Sequence, residues 1–94
     1  MQPKSFGPKF SLGRITITGK ACEKLTTDDV GRALQRHYQA DWGDLALPKR
    51  AGNKRSQRKQ DRLVSAYHTA KGEKFQVVTE ANRSVTKVSL LEES

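Results

Sequence analysis

Two histidines, His37 and His68, are the side chains of this 94-residue sequence best suited to proton transfer. His37 lies four residues before Asp41, one helical turn away, a spacing that can bind zinc but also arises by chance. With a single cysteine and no third histidine, the sequence does not complete a zinc site. His68 is a candidate general base for RNA cleavage beside Lys71. We expect both histidines to be packed or solvent-facing, with no catalytic residue, metal or cofactor.

Positive charge is the main functional signal of the sequence. The chain contains 18 lysines and arginines against 10 acidic residues, which gives a net charge of +8. Seven of the basic residues fall between positions 49 and 62, where only Asp61 opposes them. Such a block attracts polyanions. We predict that nine residues contact nucleic-acid phosphates: Lys49, Arg50, Lys54, Arg55, Arg58, Lys59, Arg62, Lys4 and Lys9.

Base stacking is a weaker prediction, because the aromatic residues of the folded part lie in patterns typical of a core. The leading hypothesis is therefore a non-enzymatic protein that binds DNA or RNA through phosphate contacts. The alternative is a small inhibitor or adaptor that binds a protein, for example in counter-defence against a host nuclease complex. An exposed apolar patch would favour that alternative. A small ribonuclease toxin that uses His68 is a third, weaker hypothesis.

The last third of the chain predicts the sheet. Residues 63–68, 75–79 and 85–91 are short runs with branched or aromatic residues at a period of two, typical of half-buried strands. Gly72 lies in the first gap, and Asn82, which tolerates a positive φ, lies in the second. Gaps of this length predict a three-stranded antiparallel meander. The best inward positions are Phe75, Val77, Val88 and Leu90.

One more strand and one helix precede the meander. Gly13 to Gly19 predicts a short strand whose Ile15 and Ile17 face the core. Thr26, with Asp29 three residues later, predicts the start of a helix that ends near Gln39 or Ala40. Its apolar stripe consists of Val30, Ala33, Leu34, His37 and Tyr38.

These elements predict a two-layer α+β fold of the form β-α-β-β-β. About four mainly antiparallel strands would carry one principal helix on one face. Residues 1–12 are expected to form a flexible basic arm, and residues 13–94 a single domain. Within this domain, residues 47–61 form a basic segment. Apart from Leu47, this segment has no large apolar side chain that a core could hold, so it can stay mobile. No apolar run approaches the ~20 residues of a membrane span, and the lone Cys22 fits a reducing compartment. We expect a cytoplasmic monomer or homodimer.

Three strings in order resemble a family of small bacterial proteins encoded on plasmids and other mobile elements. The strings are Asp41–Leu45 (DWGDL), 62–67 (RLVSAY) and 78–86 (VTEANRSVT), and the similarity extends over about residues 13–93. The family pattern reads roughly GDWGDL, RxLSAY and TEADRSxT, so Asn82 stands where the family has Asp. Residues 47–59 are strongly basic where relatives tend to be acidic or mixed. The resemblance implies a protein of a mobile element, and the departures point to a polyanionic partner for this member.

Overall fold

Four strands and two helices make up the part of the chain that the computed structural model describes, residues 12–44 and 62–93. The elements are β1 Arg14–Ile17, α1 Gly19–Lys24, α2 Thr27–Tyr38, β2 Leu63–His68, β3 Lys74–Thr79 and β4 Val85–Leu90, followed by a 3-10 turn at Leu91–Glu93. The predicted α+β fold with one principal helix is confirmed. The structure also contains the six-residue helix α1, which is capped by the Thr18 side chain.

The sheet is mixed, with the strand order β1-β4-β3-β2. Strands β2, β3 and β4 form the predicted antiparallel meander. Strand β1 joins the far side of β4 in a parallel pairing. Because the two helices lie between β1 and β2 in sequence, the chain crosses the sheet on one face before the meander begins. That face becomes the core, and neither of the described helices lies on the other face.

Helix α2 begins where the sequence predicts. The Thr26 side chain accepts a hydrogen bond from the Asp29 amide at 3.0 Å, and the Asp29 carboxylate accepts one from the Thr26 amide at 3.0 Å. This reciprocal capping box satisfies two amides that the first turn leaves without helical partners. It also lowers the pKa of the Asp29 carboxyl, because hydrogen bonds from Thr26 to the carboxylate, above all the one from the Thr26 amide, favour the ionised form.

The core lies between α2 and the inward side chains of the sheet. Phe75, Val77, Val88 and Leu90 are all at most 2% exposed, which confirms the four predicted inward positions. From the helices, the core receives Ala21, Leu25, Val30 and Ala33. In β2, where the apolar pattern of the sequence does not show which face points inward, the inward residues are Leu63, Ser65 and Tyr67.

The prediction that Ile15 and Ile17 lie in the core is wrong. Their pairing with Thr86 and Val88 places them on the helix side of the sheet, yet they are 43% and 40% exposed. Strand β1 is at the edge, so it has a sheet neighbour on one side only. The two isoleucines are therefore exposed apolar side chains at one edge of the sheet.

The β3–β4 turn also differs from its prediction. Asn82 does not take the left-handed conformation; Arg83 does, with φ of 61°. The Asn82 side chain instead accepts a hydrogen bond from the Ser84 amide at 3.0 Å. This Asx turn stabilises the reversal of the chain between β3 and β4 through the Asn82 side chain. The positive φ then falls on the next residue, Arg83. The Arg83 guanidinium then donates to the backbone carbonyls of Glu80 and Ala81.

Gly43 holds the segment after α2 against the sheet. It forms a parallel bridge with Ala66, and the Asp44 amide donates to the Ala66 carbonyl at 2.7 Å. Gly43 has φ of +68°, and a Cβ at this position would overlap the Ala66 carbonyl oxygen and the Tyr67 ring. Gly31 in α2 has open space around the same position.

The same substitution should therefore have opposite effects at these two glycines. We expect Gly43→Ala to lower the free energy of unfolding by at least about 2 kcal/mol, because it combines left-handed backbone strain with a backbone clash. Gly31→Ala should raise the free energy of unfolding by up to about 1 kcal/mol, since alanine is the better helix former. Urea unfolding followed by circular dichroism measures both. Equal effects of the two substitutions would contradict this account of the segment.

Candidate nucleic-acid interface

Arg62 is the one predicted phosphate-binding residue within the described parts of the chain. Lys4, Lys9, Lys49, Arg50, Lys54, Arg55, Arg58 and Lys59 lie outside the described residues. Arg62 is exposed and precedes β2 directly. It lines a groove of about 230 Å³ on the helix-free side of the sheet, together with Gln76, Lys87 and Ser89.

Charge is distributed very unevenly along the chain. Residues 12–44 and 62–93 contain ten basic and nine acidic residues, whereas residues 1–11 and 45–61 contain eight basic and one acidic. The folded layers that the structure describes are therefore almost neutral. Nearly all of the net charge of +8 belongs to residues 1–11 and 45–61, which we call the basic stretches.

The two basic stretches lead into strands at the same end of the sheet, although the second stretch begins after Asp44, beside Ala66 of β2. Strands β1 and β2 run in the same direction as β4, because β1 is parallel to β4 and two antiparallel steps separate β2 from β4. Leu12, which precedes β1, and Arg62, which precedes β2, therefore lie at one end of the sheet. With neighbouring strands about 4.8 Å apart, the two positions are separated by roughly 14 Å across the three strand spacings.

We call the helix-free side of the sheet the open face. Its outward-pointing residues are Arg14 and Thr16 from β1, Val64, Ala66 and His68 from β2, Lys74, Gln76 and Val78 from β3, and Val85, Lys87 and Ser89 from β4. Arg14, Lys74 and Lys87 are exposed, and no outward position of the four strands is acidic. Glu80 and Glu93 line the groove together with Arg62 and Lys87.

Glu93 is held in place by the protein itself. Its carboxylate accepts hydrogen bonds from the Thr18 hydroxyl at 2.8 Å and from the Leu90 amide at 2.7 Å. These bonds lower the pKa of the Glu93 carboxyl, because they favour its ionised form. Glu93 thus closes the 3-10 turn onto the sheet, and Glu80 is a second exposed acidic residue of the groove.

The aromatic residues of the described part lie on the helix side. Trp42, Tyr67 and Phe75 are at most 7% exposed, and Tyr38 is half-buried on α2. The Tyr67 hydroxyl donates to the Asp41 carbonyl at 2.6 Å, and burial raises the pKa of Tyr67 to about 12. Within residues 12–44 and 62–93, no aromatic ring therefore lies on the open face for a base to stack on.

Beneath α2, a buried run of hydrogen bonds joins residues that are far apart in sequence. His37 is fully buried, with Nδ1 2.5 Å from the Ser65 hydroxyl and Nε2 2.9 Å from the Thr79 hydroxyl. The Thr79 and Thr86 hydroxyls are 2.7 Å apart. The Thr86 hydroxyl donates to the Leu12 carbonyl at 2.6 Å. We call these five residues the His37 chain.

The direction of every bond in the His37 chain follows from its last member. A carbonyl oxygen only accepts, so the single hydroxyl proton of Thr86 points to Leu12, and Thr86 must accept from Thr79. Thr79 has then used its own proton and accepts from Nε2–H of His37. Burial, with a smaller contribution from Arg83, lowers the pKa of His37 to about 4. The neutral ring therefore accepts the Ser65 proton at Nδ1.

A serine hydrogen-bonded to a histidine is also the arrangement of an activated nucleophile. Here neither residue has any solvent-exposed surface, so no substrate can reach the Ser65 hydroxyl. The pair is structural. The sequence contained a sign of it that the pattern-based prediction missed: Ser65, Thr79 and Thr86 are hydroxyl residues at inward strand positions, opposite a histidine in the apolar stripe of α2.

His68 differs from His37 in being exposed. Its Nδ1 lies 2.7 Å from the Asp44 carboxylate, and both side chains are about half exposed. Since a carboxylate only accepts, Nδ1 donates and Nε2 of the neutral ring keeps its lone pair. His68 also lines a groove of about 110 Å³ with Arg32 and Arg36. The Arg36 guanidinium already makes two contacts within the protein, since it pairs with Asp41 at 2.8 Å and lies over the Tyr67 ring.

Within residues 12–44 and 62–93, no three metal-ligating side chains come together as a cation site. In the same residues, no helix combines the length and the apolar character needed to cross a membrane. Comparisons with protein-family models, with curated proteins and with solved structures found no match to this chain.

The buried His37 predicts a loss of stability in acid. Its pKa is about 4 in the folded chain and about 6.5 when unfolded, so between these values the unfolded state binds a proton that the folded state does not. Stability therefore falls as the pH drops through this window. From pH 7 to 4.5, the free energy of unfolding should decrease by about 2 kcal/mol because of His37.

Urea unfolding at the two pH values measures this change. In His37→Gln the decrease should be about 2 kcal/mol smaller than in the wild type, whatever the absolute stability of the variant. His68→Gln is the matched control and should keep the wild-type decrease, because the exposed ring is not part of the buried chain. A His37→Gln variant with an unchanged decrease would show that another group is responsible.

Proposed function

We propose that this protein binds nucleic acid through phosphate contacts made by its two basic stretches, without a chemical step. The observation that carries the proposal is the uneven distribution of charge along the chain. The described α+β scaffold is nearly neutral, whereas residues 1–11 and 45–61 contain eight basic residues and one acidic residue. Leu12 and Arg62, which follow these two stretches in sequence, lie at one end of the sheet, so charges next to them can act on the same ligand.

The size of the expected interaction supports this reading. Neutralising several phosphates releases condensed counterions, and a protein making ~6–10 such contacts loses roughly a thousandfold or more in affinity between 50 and 200 mM salt. The predicted set of nine basic residues is of this size. The resemblance of the three sequence strings to plasmid-borne proteins supports a role in a mobile element.

Neutralising the centre of the basic block tests the proposal. We expect the quadruple variant Lys54→Gln, Arg55→Gln, Arg58→Gln and Lys59→Gln to bind about a hundredfold more weakly or worse at moderate salt, with a flatter salt dependence for every sequence tested. Fluorescence anisotropy with DNA and RNA of equal length at several salt concentrations measures this.

The matched control removes the same charge from the scaffold. Lys20→Gln, Lys24→Gln, Arg32→Gln and Lys71→Gln also lower the net charge by four, at exposed positions of the helix side and the β2–β3 turn. This variant should lose less than about tenfold in affinity, because general attraction is weaker than direct phosphate contact. Equal losses of affinity in both variants would show that net charge, and not phosphate contacts by the basic block, is responsible for binding.

A second candidate function is RNA cleavage, which the exposed His68–Asp44 pair favours. Nε2 of His68 can take the proton of a ribose 2′-hydroxyl, whose oxygen then attacks the adjacent phosphorus. The P–O5′ bond breaks, the 5′ oxygen takes a proton from water, and a 2′,3′-cyclic phosphate remains. Arg32, beside His68 in the groove, can stabilise the additional negative charge.

This candidate is tested with labelled RNA and with the same strand carrying 2′-deoxyribose throughout. If it holds, the wild type cleaves only the RNA, and His68→Gln lowers kcat by about a hundredfold or more. Asp44→Asn should lower kcat while leaving KM unchanged, since the carboxylate orients the ring and does not touch the substrate. Equal cleavage by wild type and His68→Gln, or none by either, removes the candidate.

A further inference from the structure

We propose that the outer edge of strand β1, the side that does not face β4, binds a second copy of this chain. The two copies of β1 pair with each other, so that the four strands of each copy form one continuous sheet across a reversible homodimer. The inference rests on described residues in and around β1. It does not depend on the proposed function.

The two edges of the sheet differ in what covers them. Strand β2 lies at one edge and β1 at the other. The outer side of β2 is paired, because the segment after α2 forms a parallel bridge from Gly43 to Ala66. Within residues 12–44 and 62–93, the one strand neighbour of β1 is β4. A row of backbone amides and carbonyls at an edge is a template on which another strand can pair.

The backbone groups at the outer edge of β1 belong to two isoleucines. The Thr18 amide donates to the Val88 carbonyl at 3.1 Å, so it points towards β4. Successive amides along a strand point to opposite edges, and the carbonyl of each residue points to the same edge as its amide. The amides and carbonyls of Ile15 and Ile17 therefore point away from β4. Both donors and acceptors are present for a partner strand.

One register of pairing uses all of these groups. Because a closed dimer has a two-fold axis, the two copies of β1 run antiparallel. With Ile15 opposite Ile17 of the partner subunit, each such pair exchanges both of its N–H···O bonds, and Thr16 lies opposite its own copy on the axis. A shift of the pairing by two residues would require an extended Gly13, which has a positive φ, or an extended Gly19, which begins α1.

The same register buries apolar side chains that are exposed in a single copy. Ile15 and Ile17 both point to the helix side of the sheet and are exposed there. A two-fold axis perpendicular to the sheet keeps the helix sides of both copies on one face. Ile15 of each copy therefore meets the partner's Ile17 directly across the interface. Cross-strand contacts between β-branched side chains stabilise a sheet.

Charges on the open face are complementary in this register. Arg14 lies opposite Thr18 of the partner subunit, in a pair whose Cα atoms approach to about 4.5 Å because they exchange no backbone hydrogen bonds. The Thr18 hydroxyl donates to the Glu93 carboxylate at 2.8 Å, which places that carboxylate beside the Arg14 guanidinium. Lys20 and Lys87 also act on Glu93, but neither forms an ion pair with it within the described residues.

The dimer is expected to dissociate on dilution. Strand β1 has only four residues, and an interface of one short strand from each copy is smaller than the about 1,200 Å² at which stable complexes begin. Sedimentation velocity of the full-length protein from about 5 to 500 μM measures the association, at about 300 mM salt to screen the net charge. The wild type should shift from monomer towards dimer over this range.

Lysines at the two isoleucine positions test the interface. Ile15→Lys with Ile17→Lys should weaken dimerisation about tenfold or more, because charges on an edge strand oppose pairing. Both positions are exposed, so the fold of each copy should persist, which circular dichroism checks. Gln35→Lys with Gln39→Lys adds the same charge at exposed positions of α2 and of its carboxyl end, and should leave the association unchanged.

Arg14 provides a test in which the effect of net charge and the effect of the interface have opposite signs. Arg14→Gln lowers the net charge and so reduces general repulsion between copies, yet it should weaken dimerisation severalfold because the contact with Glu93 is lost. Lys74→Gln makes the same change in charge at an exposed position of β3 and should not weaken dimerisation. Equal effects of the two substitutions would contradict the contact between Arg14 and Glu93.

A cysteine on the two-fold axis tests the register. Thr16→Cys places two thiols opposite each other, and Cα atoms about 4.5 Å apart lie within the range that a disulfide bridges. The experiment uses a Cys22→Ser background, because the native thiol is exposed. With oxidised glutathione, Thr16→Cys should form a covalent dimer at least about tenfold faster than Gln35→Cys in the same background.

Three results would overturn the inference. A monomer at every concentration would leave the outer edge of β1 to an occupant other than a second copy. A dimer that keeps its wild-type strength in the Ile15→Lys, Ile17→Lys variant would place the interface on another surface. Cross-linking of Thr16→Cys no faster than of Gln35→Cys would exclude the register with Thr16 on the axis.

Discussion

The fold depends on a run of buried hydrogen bonds that begins at Ser65, passes through His37 and ends at the Leu12 carbonyl. It joins α2 to β2, β3 and β4 and ends at Leu12, two residues before β1. A buried polar group without a partner costs about 1–3 kcal/mol, so the five residues require one another. Because each hydroxyl has a single proton, the bonds have only one arrangement with a neutral histidine. That arrangement sets how α2 lies on the sheet.

The segment after α2 depends on the same histidine. The Trp42 ring packs edge-on against His37 with centroids 5.5 Å apart. Asp41 receives the Arg36 guanidinium on its carboxylate and the Tyr67 hydroxyl on its carbonyl. These contacts bring Gly43 and Asp44 beside β2. The DWGD string is thus explained by packing: each of its four residues contacts the helix end or the neighbouring strand.

Charge is divided unevenly between the described scaffold and the rest of the chain. The scaffold contains ten basic and nine acidic residues and is almost neutral, whereas residues 1–11 and 45–61 contain eight basic residues and one acidic residue. The proposed phosphate contacts therefore depend mainly on these two stretches.

The sequence by itself determined the local elements and the charge. Thr26 and Asp29 define the start of α2, the period of two defines the meander, and the basic block is visible from composition, since each depends on residues close together in the chain. Only the tertiary structure decided that β1 pairs with β4, that Ile15 and Ile17 stay exposed, and that His37 bonds to Ser65 and Thr79 from two different strands. These features depend on strand order and register. Both arise from contacts between residues far apart in sequence, so no local sequence pattern predicts them.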